Sequence, residues 1–298
     1  LVYSRRASGG WTSLVAAVAS DGSMAVDGSN VLHLAYTTAN FDGDGYNEVL
    51  HATSVSTGFV PVQVLFNGHA ASSGGGACPV SEGHNYFWPV IACGPSNSYH
   101  VVVRYHIYRT GPCAPSDSES LSYVRVQPEY VVTTSDSGVS YYNSMQVRPN
   151  GLAVDNDDNL HMIFADGSTD FYSSNAVTWA DENLFYVHAP YGVRSRVLDR
   201  STNGEIAITT QHSNQGPNLR LHRRSGTVFP AGIILSTNYY ESSDLSASDG
   251  TVAASESDGS DQEIYLYFRF DEDDDGMSDA WEKSHGLDPA SNADAGVD

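Results

Sequence analysis

The chain has 298 residues and a formal net charge of −22, with 36 acidic and 14 basic side chains. Its length allows one large domain or two smaller ones with a proper core. The charge disfavours nucleic acid, anionic membrane surfaces and polyanionic substrates as partners. No apolar run approaches the ~18 residues that a membrane-spanning helix needs, so insertion into a membrane is not expected.

Short β-branched and aromatic runs alternate with Gly, Asp, Ser and Asn turns as far as residue 270. This pattern predicts an all-β domain over residues 1–270, whose first strands are residues 1–6 and 11–18. A repeated strand pair follows, and its second strand begins with one large apolar residue and a histidine. The copies cover residues 23–36, 88–103 and 151–164, and they place His33, His100 and His161 at one position of the repeat.

Further predicted strands follow each copy of the repeat, such as residues 49–53 and 60–66 after the first copy. Four strands per unit at a period of about 40–60 residues predict the blades of a β-propeller. The repeat resembles blades of secreted bacterial propellers of the sialidase-like, BNR-repeat kind. We expect five blades, with six as the alternative, and we expect residues 1–18 to close the ring by completing the last blade.

The recurring histidines are explained by this architecture. A histidine that the fold places at the same point of every blade is more often a structural partner than a ligand. We therefore predict that His33, His100 and His161 stabilise the starts of their strands.

Residues 40–48 form an acidic run between two predicted strands. Oxygen-bearing side chains occupy loop positions 1, 3, 5 and 9, a glycine occupies position 6, and position 7 can offer its carbonyl, which is the spacing of a single-loop calcium site. The run resembles the calcium loops of FG-GAP blades in integrin-type propellers, but it has Asn at position 1 and Glu at position 9. We predict a calcium site here, and a metal-free Gly/Asp-rich turn is the alternative. The predicted ligands are Asn40, Asp42, Asp44, Tyr46 and Glu48.

The chain has three cysteines, which fit neither a metal-binding spacing nor a dense disulfide framework. Cys78 and Cys113 both lie in Gly/Pro/Ser-rich loops, whereas Cys93 ends an apolar strand, where cysteine packs as a small hydrophobic residue. We predict a Cys78–Cys113 disulfide and a reduced Cys93, in an oxidising compartment.

A histidine-rich stretch carries the sharpest indication of catalysis. The run G-H-N-Y-F-W-P at residues 83–89, followed by H-V-V-V-R-Y-H at residues 100–106, is loosely similar to the H-N-x-P…H-V-x-x-x-x-H run of BNR-type propeller polysaccharide lyases. Two residues are inserted before the proline and one before His106. In that family, histidine and tyrosine abstract and return a proton beside a uronate carboxylate. The resemblance implies His84 and His106 as an acid/base or metal-binding pair, Arg104 as charge neutraliser and Tyr105 as candidate acid. We expect the blade geometry to hold His84 and His106 apart.

Later predicted strands follow the repeat less closely, and the chain between residues 185 and 205 is too short for the strands that a blade needs there. The predicted strands of the last two units are residues 205–210, 218–223, 227–235, 244–248, 251–255 and 263–270.

The acidic run at residues 271–282 matches the ligand spacing of a twelve-residue calcium loop at every position. With the following G-L-D-P and A-D-A-G-V-D, it resembles the thrombospondin type 3-like calcium repeats of bacterial secreted and surface proteins. The resemblance implies a separate calcium-binding loop and short helix over residues 271–298, and a solvated acidic tail is the alternative. The predicted ligands are Asp271, Asp273, Asp275, Met277, Asp279 and Glu282.

These motifs predict an extracellular, calcium-stabilised propeller. The leading functional prediction is non-catalytic: adhesion, binding of a glycan or protein on a cell surface, or assembly with copies of itself, for example in an extracellular filament. The alternative is a carbohydrate-active propeller enzyme, either a polysaccharide lyase or a glycosidase. Calcium is the predicted cofactor.

Overall fold

The structure is a computed structural model of the chain. It describes residues 2–7, 10–15, 19–39, 41–55, 58–73, 78–94, 97–127, 131–136, 147–154, 160–166, 169–174, 182–183, 194–200, 206–211, 219–223, 233–236, 242–246, 251–257, 262–268, 285–288 and 291.

Strands make up most of the described residues, as the alternating sequence pattern predicts. In chain order they are β1 (Val2–Ala7), β2 (Gly10–Val15), β3 (Asp21–Val26), β4 (Leu32–Ala39), β5 (Asn47–Val55), β6 (Gly58–Phe66), β7 (His69–Ser73), β8 (Val80–Cys93), β9 (Tyr99–Thr110), β10 (Ser118–Gln127), β11 (Val131–Asp136), β12 (Val147–Val154), β13 (Leu160–Asp166), β14 (Thr169–Ser174), β15 (Glu182–Asn183), β16 (Arg194–Arg200), β17 (Ile206–Gln211), β18 (Leu219–Arg223), β19 (Ile233–Ser236), β20 (Ser242–Ser246), β21 (Thr251–Ser257) and β22 (Gln262–Phe268).

Strands that follow one another in the chain pair antiparallel, and they form separate sheets. We call these sheets blade A (β3 to β6), blade B (β7 to β11), blade C (β12 to β15), blade D (β16 to β19) and blade E (β20 to β22). The strand β3 contacts β8, β8 contacts β12, β12 contacts β16, and β16 contacts β20. Sheets stacked side by side through their first long strands form a β-propeller. Within the described residues β1 and β2 pair with each other, so the blade number and the closure through residues 1–18 stay predictions.

Blade D contains a strand that the sequence did not predict. β16 pairs with β17 and is the first strand of the blade. Its sequence, R-S-R-V-L-D-R, has charged residues at both ends and only two adjacent apolar residues, so it lacks the alternation that marks a half-buried strand. Residues 185–205 therefore supply one strand of this blade, in a stretch where the sequence predicted too little chain for the strands that a blade needs.

Blade B contributes to two apolar clusters of the core, and its two faces pack against different neighbouring blades. Alternate side chains of a strand point to opposite faces. Val101 and Val103 of β9 pack with Ala35 and Val49 of blade A. On the opposite face, an apolar cluster joins blade B to blade C: Ala92, Val102, Leu121, Tyr123, Leu152, Val154, Leu160, Met162 and Phe164. Full burial of a large apolar side chain stabilises the fold by about 1.5–3 kcal/mol.

A disulfide joins Cys78 to Cys113, and Cys93 is a free thiol, which confirms the predicted pairing. Burial and the nearby carboxylate of Asp27 raise the pKa of Cys93 to about 12, so the thiol is an unreactive packing group.

The described part of the C-terminal segment is short. His285 is helical, and Gly286 follows it with a φ of +77°, the left-handed conformation that commonly ends a helix. The predicted calcium ligands from Asp271 to Glu282 lie outside the described residues, so this loop and the domain boundary stay predictions. No helix among the described residues is long and apolar enough to cross a membrane.

Candidate functional site

The long hairpin of β8 and β9 carries the candidate acid/base residues. In the register of this hairpin, Glu82 lies opposite Arg109, His84 opposite Ile107, and Tyr86 opposite Tyr105. The strand β7 covers the other edge of β8 and places His69 opposite His84. Because side chains two residues apart share a face, the hairpin presents Glu82, His84, Tyr105 and Arg109 together.

His84 and Tyr105 are directly hydrogen-bonded. The Nδ1 atom of His84 contacts the hydroxyl of Tyr105, and the ring of Tyr86 stacks on Tyr105 with centroids 4.9 Å apart. On its other side, the imidazole of His84 stacks on that of His69, with centroids 4.5 Å apart and ring planes within 5°. These contacts fix the plane of the His84 ring and the direction of both of its nitrogens.

The Nε2 atom of His84 is buried and has no hydrogen-bond partner. It lies 3.6 Å from Oε2 of Glu82, which is too long for a strong hydrogen bond. Burial lowers the pKa of His84, and the nearby His69 and Arg109 lower it further, against the opposing effect of Glu82. A neutral imidazole with an unpartnered nitrogen can accept a proton from a group that reaches it.

Arg109 holds the carboxylate beside His84 in its charged form. Its Nε donates a 2.9 Å hydrogen bond to Oε1 of Glu82, and its Nη1 donates to the carbonyl of Ser116 and the hydroxyl of Ser118. The hydrogen bond from Arg109 lowers the pKa of Glu82. This corner therefore offers a fixed guanidinium and a fixed carboxylate next to the His–Tyr pair.

Arg104 and His106 lie on the opposite face of the hairpin from His84 and Tyr105. The guanidinium of Arg104 forms an ion pair with Glu119 and lies 4.6 Å from the ring centre of Trp88. Nε2 of His106 lies 3.7 Å from a carboxylate oxygen of Asp117. Since Arg104, Tyr105 and His106 are consecutive in one strand, neighbours must face opposite ways. The four candidate catalytic residues therefore do not form one site: the structure brings His84 and Tyr105 together and separates them from the other two.

The recurring histidines are buried near the starts of their strands, and two of them have identified structural partners. His100 bonds through Nδ1 to the hydroxyl of Tyr123 at 2.8 Å. His33 lies between Asp27, at 3.3 Å, and Nε2 of His51, at 3.0 Å. The exposed fractions of His33, His100 and His161 are 5%, 0% and 8%, as expected for structural groups.

His33 belongs to a buried chain of polar contacts between blades A and B. Nδ1 of His51 lies 3.0 Å from the hydroxyl of Tyr99, which accepts a 2.7 Å hydrogen bond from Gln63. When both imidazoles are neutral, one arrangement of protons satisfies every pair: Gln63 donates to Tyr99, Tyr99 to His51, His51 to His33, and His33 to Asp27. Burial and the positive charge that His33 can carry lower the pKa of His51 to about 3.

The predicted calcium loop of blade A brings three carboxylates together. One oxygen each of Asp42, Asp44 and Glu48 lie within 4.8 Å of one another. The loop is held by backbone N–H groups, since the N–H of Asp44 donates to Asp42 and that of Tyr46 donates to Asp44. The glycine at loop position 6, Gly45, has a φ of +92°, a conformation that a larger side chain would strain. Asn40 lies outside the described residues.

Glu48 provides the most specific sign of a ligand in this loop. Its side chain is fully buried. Oε2 accepts a 3.0 Å hydrogen bond from the N–H of Phe41, whereas Oε1 has no hydrogen-bond partner. Burial raises the pKa of Glu48, as do the charges of Asp42 and Asp44. A buried carboxylate oxygen without a partner is costly unless a cation binds it, so the donor set fits a hard cation such as calcium.

Two residues of the candidate site were missed by sequence reasoning. Glu82 and Arg109 lie on the same face as His84 and Tyr105, and their contact depends on the register between β8 and β9. The alternation of Glu82, His84 and Tyr86 along one strand was the available signal. Arg109 could not be paired with them without knowing the register between β8 and β9, which shifts between Phe87 and Val90.

Comparison with known proteins identifies the fold but not a family. No protein-family model and no curated protein matches the chain. The structure is similar to that of an ulvan lyase of polysaccharide lyase family 25 bound to a -[GlcA(1-4)Rha3S]- chain, with a TM-score of 0.54 and 11% identity over 87% of this chain and 67% of that one. It is also similar to an α-L-arabinanase from Penicillium chrysogenum complexed with arabinobiose, with a TM-score of 0.52 and 12% identity over 87% of this chain and 81% of that one.

A third similar structure comes from Thermus thermophilus and is assigned only provisionally as a glucose dehydrogenase. Its TM-score is 0.52 at 11% identity, over 89% of this chain and 90% of that one. Three different activities at such low identity show a shared β-propeller fold, and one fold of this kind carries several functions.

Proposed function

We propose that this protein is a carbohydrate-active β-propeller that cleaves a uronate-containing polysaccharide by β-elimination, with His84 and Tyr105 as its acid/base pair. The observation that carries the proposal is the hydrogen bond between Nδ1 of His84 and the hydroxyl of Tyr105, combined with a buried Nε2 atom that has no hydrogen-bond partner and that a substrate would have to reach. The lyase and the arabinanase, both solved with saccharides, support a glycan substrate more than they support a non-catalytic module.

The pair can carry out both proton transfers of the reaction. In the tautomer in which Nδ1–H of His84 donates to the Tyr105 oxygen, Nε2 has a free lone pair and removes the proton from the carbon next to the uronate carboxylate. The electrons of that C–H bond form a C=C double bond as the neighbouring C–O bond breaks. The departing oxygen takes the hydroxyl proton of Tyr105. The imidazolium then returns its Nδ1 proton to the phenolate, which restores neutral groups.

The surroundings of His84 favour elimination over hydrolysis. A glycosidase needs two carboxyl groups about 5–9.5 Å apart, one of which must be protonated. Glu82 is the carboxylate beside His84, but its hydrogen bond from Arg109 lowers its pKa, so it suits an anion rather than a proton donor. Arg109 also supplies a guanidinium on this face, where a substrate carboxylate needs a positive counter-charge.

The test is an assay for the unsaturated uronate product, followed by its ultraviolet absorbance, on a panel of uronate polysaccharides that includes a glucuronate polymer. We expect His84→Ala and Tyr105→Phe each to lower kcat by about 10²–10⁴-fold, the usual contribution of a general acid or base. Because the chain carries a net charge of −22, turnover of an acidic polymer should rise with ionic strength as repulsion is screened.

His106→Ala is the matched control for this assay, because it removes an imidazole from the opposite face of the same hairpin. It should leave turnover within a few-fold of the wild type. No turnover on any polymer, or equal losses in His84→Ala and His106→Ala, would refute the elimination mechanism. The first result would favour the non-catalytic alternative, in which the propeller binds a glycan or protein at a cell surface or assembles with copies of itself.

We further propose that the loop of blade A binds calcium through Asp42, Asp44 and Glu48, with Asn40 and the carbonyl of Tyr46 completing the set. The clustered carboxylates and the unpartnered Oε1 of Glu48 support this assignment, because a cation removes both the mutual repulsion and the buried unpaired charge. The C-terminal loop from Asp271 to Glu282 remains a second calcium site proposed from its sequence spacing. Calcium loops and a disulfide both suit the proposed extracellular location.

A further inference from the structure

The calcium loop of blade A packs directly against the residues on either side of His84. The backbone N–H of Asn47 donates a 3.0 Å hydrogen bond to Oδ1 of Asn85. The ring of Tyr46 lies against Gly83, where an added Cβ would be 2.7 Å from its Cε1 atom. Tyr46 and Asn47 stand between the ligands Asp44 and Glu48, so the segment that touches β8 is part of the loop itself.

Gly68 completes this contact from the segment between β6 and β7. A Cβ on Gly68 would lie 2.5 Å from the carbonyl oxygen of Asn47 and 2.9 Å from that of His84. Backbone atoms cannot give way as a flexible side chain can. Gly68 therefore lies tightly between the backbone carbonyls of Asn47 and His84, and the ring of Tyr46 lies tightly against Gly83. Neither place has room for an added side-chain atom.

We propose that the cation in the loop positions β8, so that calcium binding by Asp42, Asp44 and Glu48 sets the placement of His84 against Tyr105. The proposal rests on the calcium site and the acid/base pair proposed above. It makes Asn85 a positioning residue, which acts on His84 and on the metal without touching either the metal or the reacting atoms.

The physical reason is the charge of the loop. Without a cation, three carboxylates within 4.8 Å repel one another, and the loop relaxes by moving its ends apart. Tyr46 and Asn47 must move with it, because they connect Asp44 to Glu48. Their contacts with Gly83 and Asn85 are then lost or altered, and His84 loses the support that holds its ring in line with Tyr105.

This coupling is reciprocal. If the bound cation stabilises the contact between Asn47 and Asn85, that contact must stabilise the bound cation by the same factor. Removing the Asn85 side chain should therefore weaken calcium binding, although Asn85 is not a ligand. A purely structural loop, folded independently of β8, would show no such effect.

The experiment uses the full chain with ¹⁵N-labelled histidine rings, titrated with calcium chloride at constant ionic strength. The ring signals of His84, assigned by their loss in His84→Gln, should shift with calcium. Asp44→Asn should abolish that shift, which separates the loop from the acidic C-terminal segment. Asn85→Ala should weaken the calcium affinity read from these signals by about fivefold or more.

Asn97→Ala is the matched control. Asn97 is exposed, lies in the turn between β8 and β9, and bonds to Ser29 rather than to the calcium loop. It should bind calcium within about twofold of the wild type. The proposal is overturned if Asn85→Ala binds calcium as tightly as this control, if calcium binds without moving the His84 signals, or if the wild type shows no binding at millimolar calcium.

Polysaccharide turnover is measured separately, so the two proposals can fail independently. A protein that shows calcium-dependent His84 signals and the expected loss in Asn85→Ala, but no turnover, keeps the positioning role and loses the enzymatic one. A protein that turns over substrate equally with calcium and with EDTA, with unchanged His84 signals, keeps the enzymatic role and loses the positioning one.

Discussion

The two faces of blade B are held to their neighbours in different ways. Towards blade A, directional contacts pass through the apolar core, where the hydroxyl of Tyr99 bonds to His51 and Gln63. Towards blade C, the described core is a cluster of apolar side chains around Phe164. Apolar packing supplies stability in proportion to area, whereas hydrogen bonds also fix one alignment. The proposed acid/base pair lies on the face with the directional contacts, where its position is better defined.

The largest expected effect on stability tests the face of blade B that packs against blade C. Phe164 has an exposed fraction of 0%, and Phe164→Ala should lower the free energy of unfolding by about 3–5 kcal/mol through lost burial and the cavity that remains. Chemical denaturation would measure this. Val64→Ala is the control, because Val64 is 41% exposed and its loss should change stability by less than about 0.5 kcal/mol. Similar small losses for both variants would show that this interface does not depend on the Phe164 cluster.

A smaller loss of stability is expected on the face of blade B that packs against blade A. Tyr99→Phe keeps the ring but leaves His51 and Gln63 without the hydroxyl that they share. The cost should be about 1–3 kcal/mol, the penalty of an unsatisfied buried group. Tyr108→Phe, at an exposed position, is the matched control and should be nearly neutral. A neutral Tyr99→Phe variant would mean that the polar chain contributes no more than apolar packing would.

The buried histidines should also make the stability of the fold depend on pH. The pKa values of His51 and His100 are lowered in the folded state to about 3 and about 4, below the usual value of about 6.5. For groups with lowered pKa values, the unfolded chain binds the extra protons first as pH falls. Stability is therefore fully present above about pH 6.5 and declines towards pH 4, by up to about 1.4 kcal/mol per pH unit for each histidine.

His51→Gln would sharpen this prediction. The variant should be less stable at pH 7, because Tyr99 and His33 lose a partner, but its stability should fall less steeply between pH 6.5 and 5. Denaturation series at several pH values, at constant ionic strength, give the two slopes. Identical slopes for the wild type and His51→Gln would contradict the assignment of acid sensitivity to this buried imidazole.

Sequence alone predicted the blades where one local pattern recurs. The strands of blades A and C that carry His33 and His161 begin with the same Leu-His pair and continue as buried apolar runs, and the propeller prediction depended on this repeat. The strands β16 and β7 were missed for a physical reason. β16 has charged residues at both ends, and β7, with the sequence H-A-A-S-S, has no β-branched or large apolar residue. Both strands are defined by their partners rather than by their own composition.

In the candidate site too, the sequence predicts local features, whereas contacts between distant residues require the structure. The resemblance to lyases selected His84 and Tyr105, and strand alternation alone separates Tyr105 from Arg104 and His106. Which of these faces His84 depends on the register of the hairpin. The contact of Asn85 with the calcium loop depends on the packing of two blades. Neither the register of the hairpin nor the packing between blades can be predicted from a local sequence pattern. The positioning role of Asn85 could therefore be inferred only from the structure.

The disulfide gives the β8–β9 hairpin a further property. Cys78 lies just before β8 and Cys113 just after β9, beyond the last described pair of the ladder, Ser81 with Thr110. The turn closes one end of the hairpin and the disulfide closes the other, so the segment that carries Glu82, His84, Tyr105 and Arg109 is a covalent ring. The strands of such a ring cannot fray at the end that the disulfide closes. A single proteolytic cut between β8 and β9 would leave both strands attached. The amide protons of the ring should exchange among the slowest of the propeller while the bond is oxidised, and faster once it is reduced.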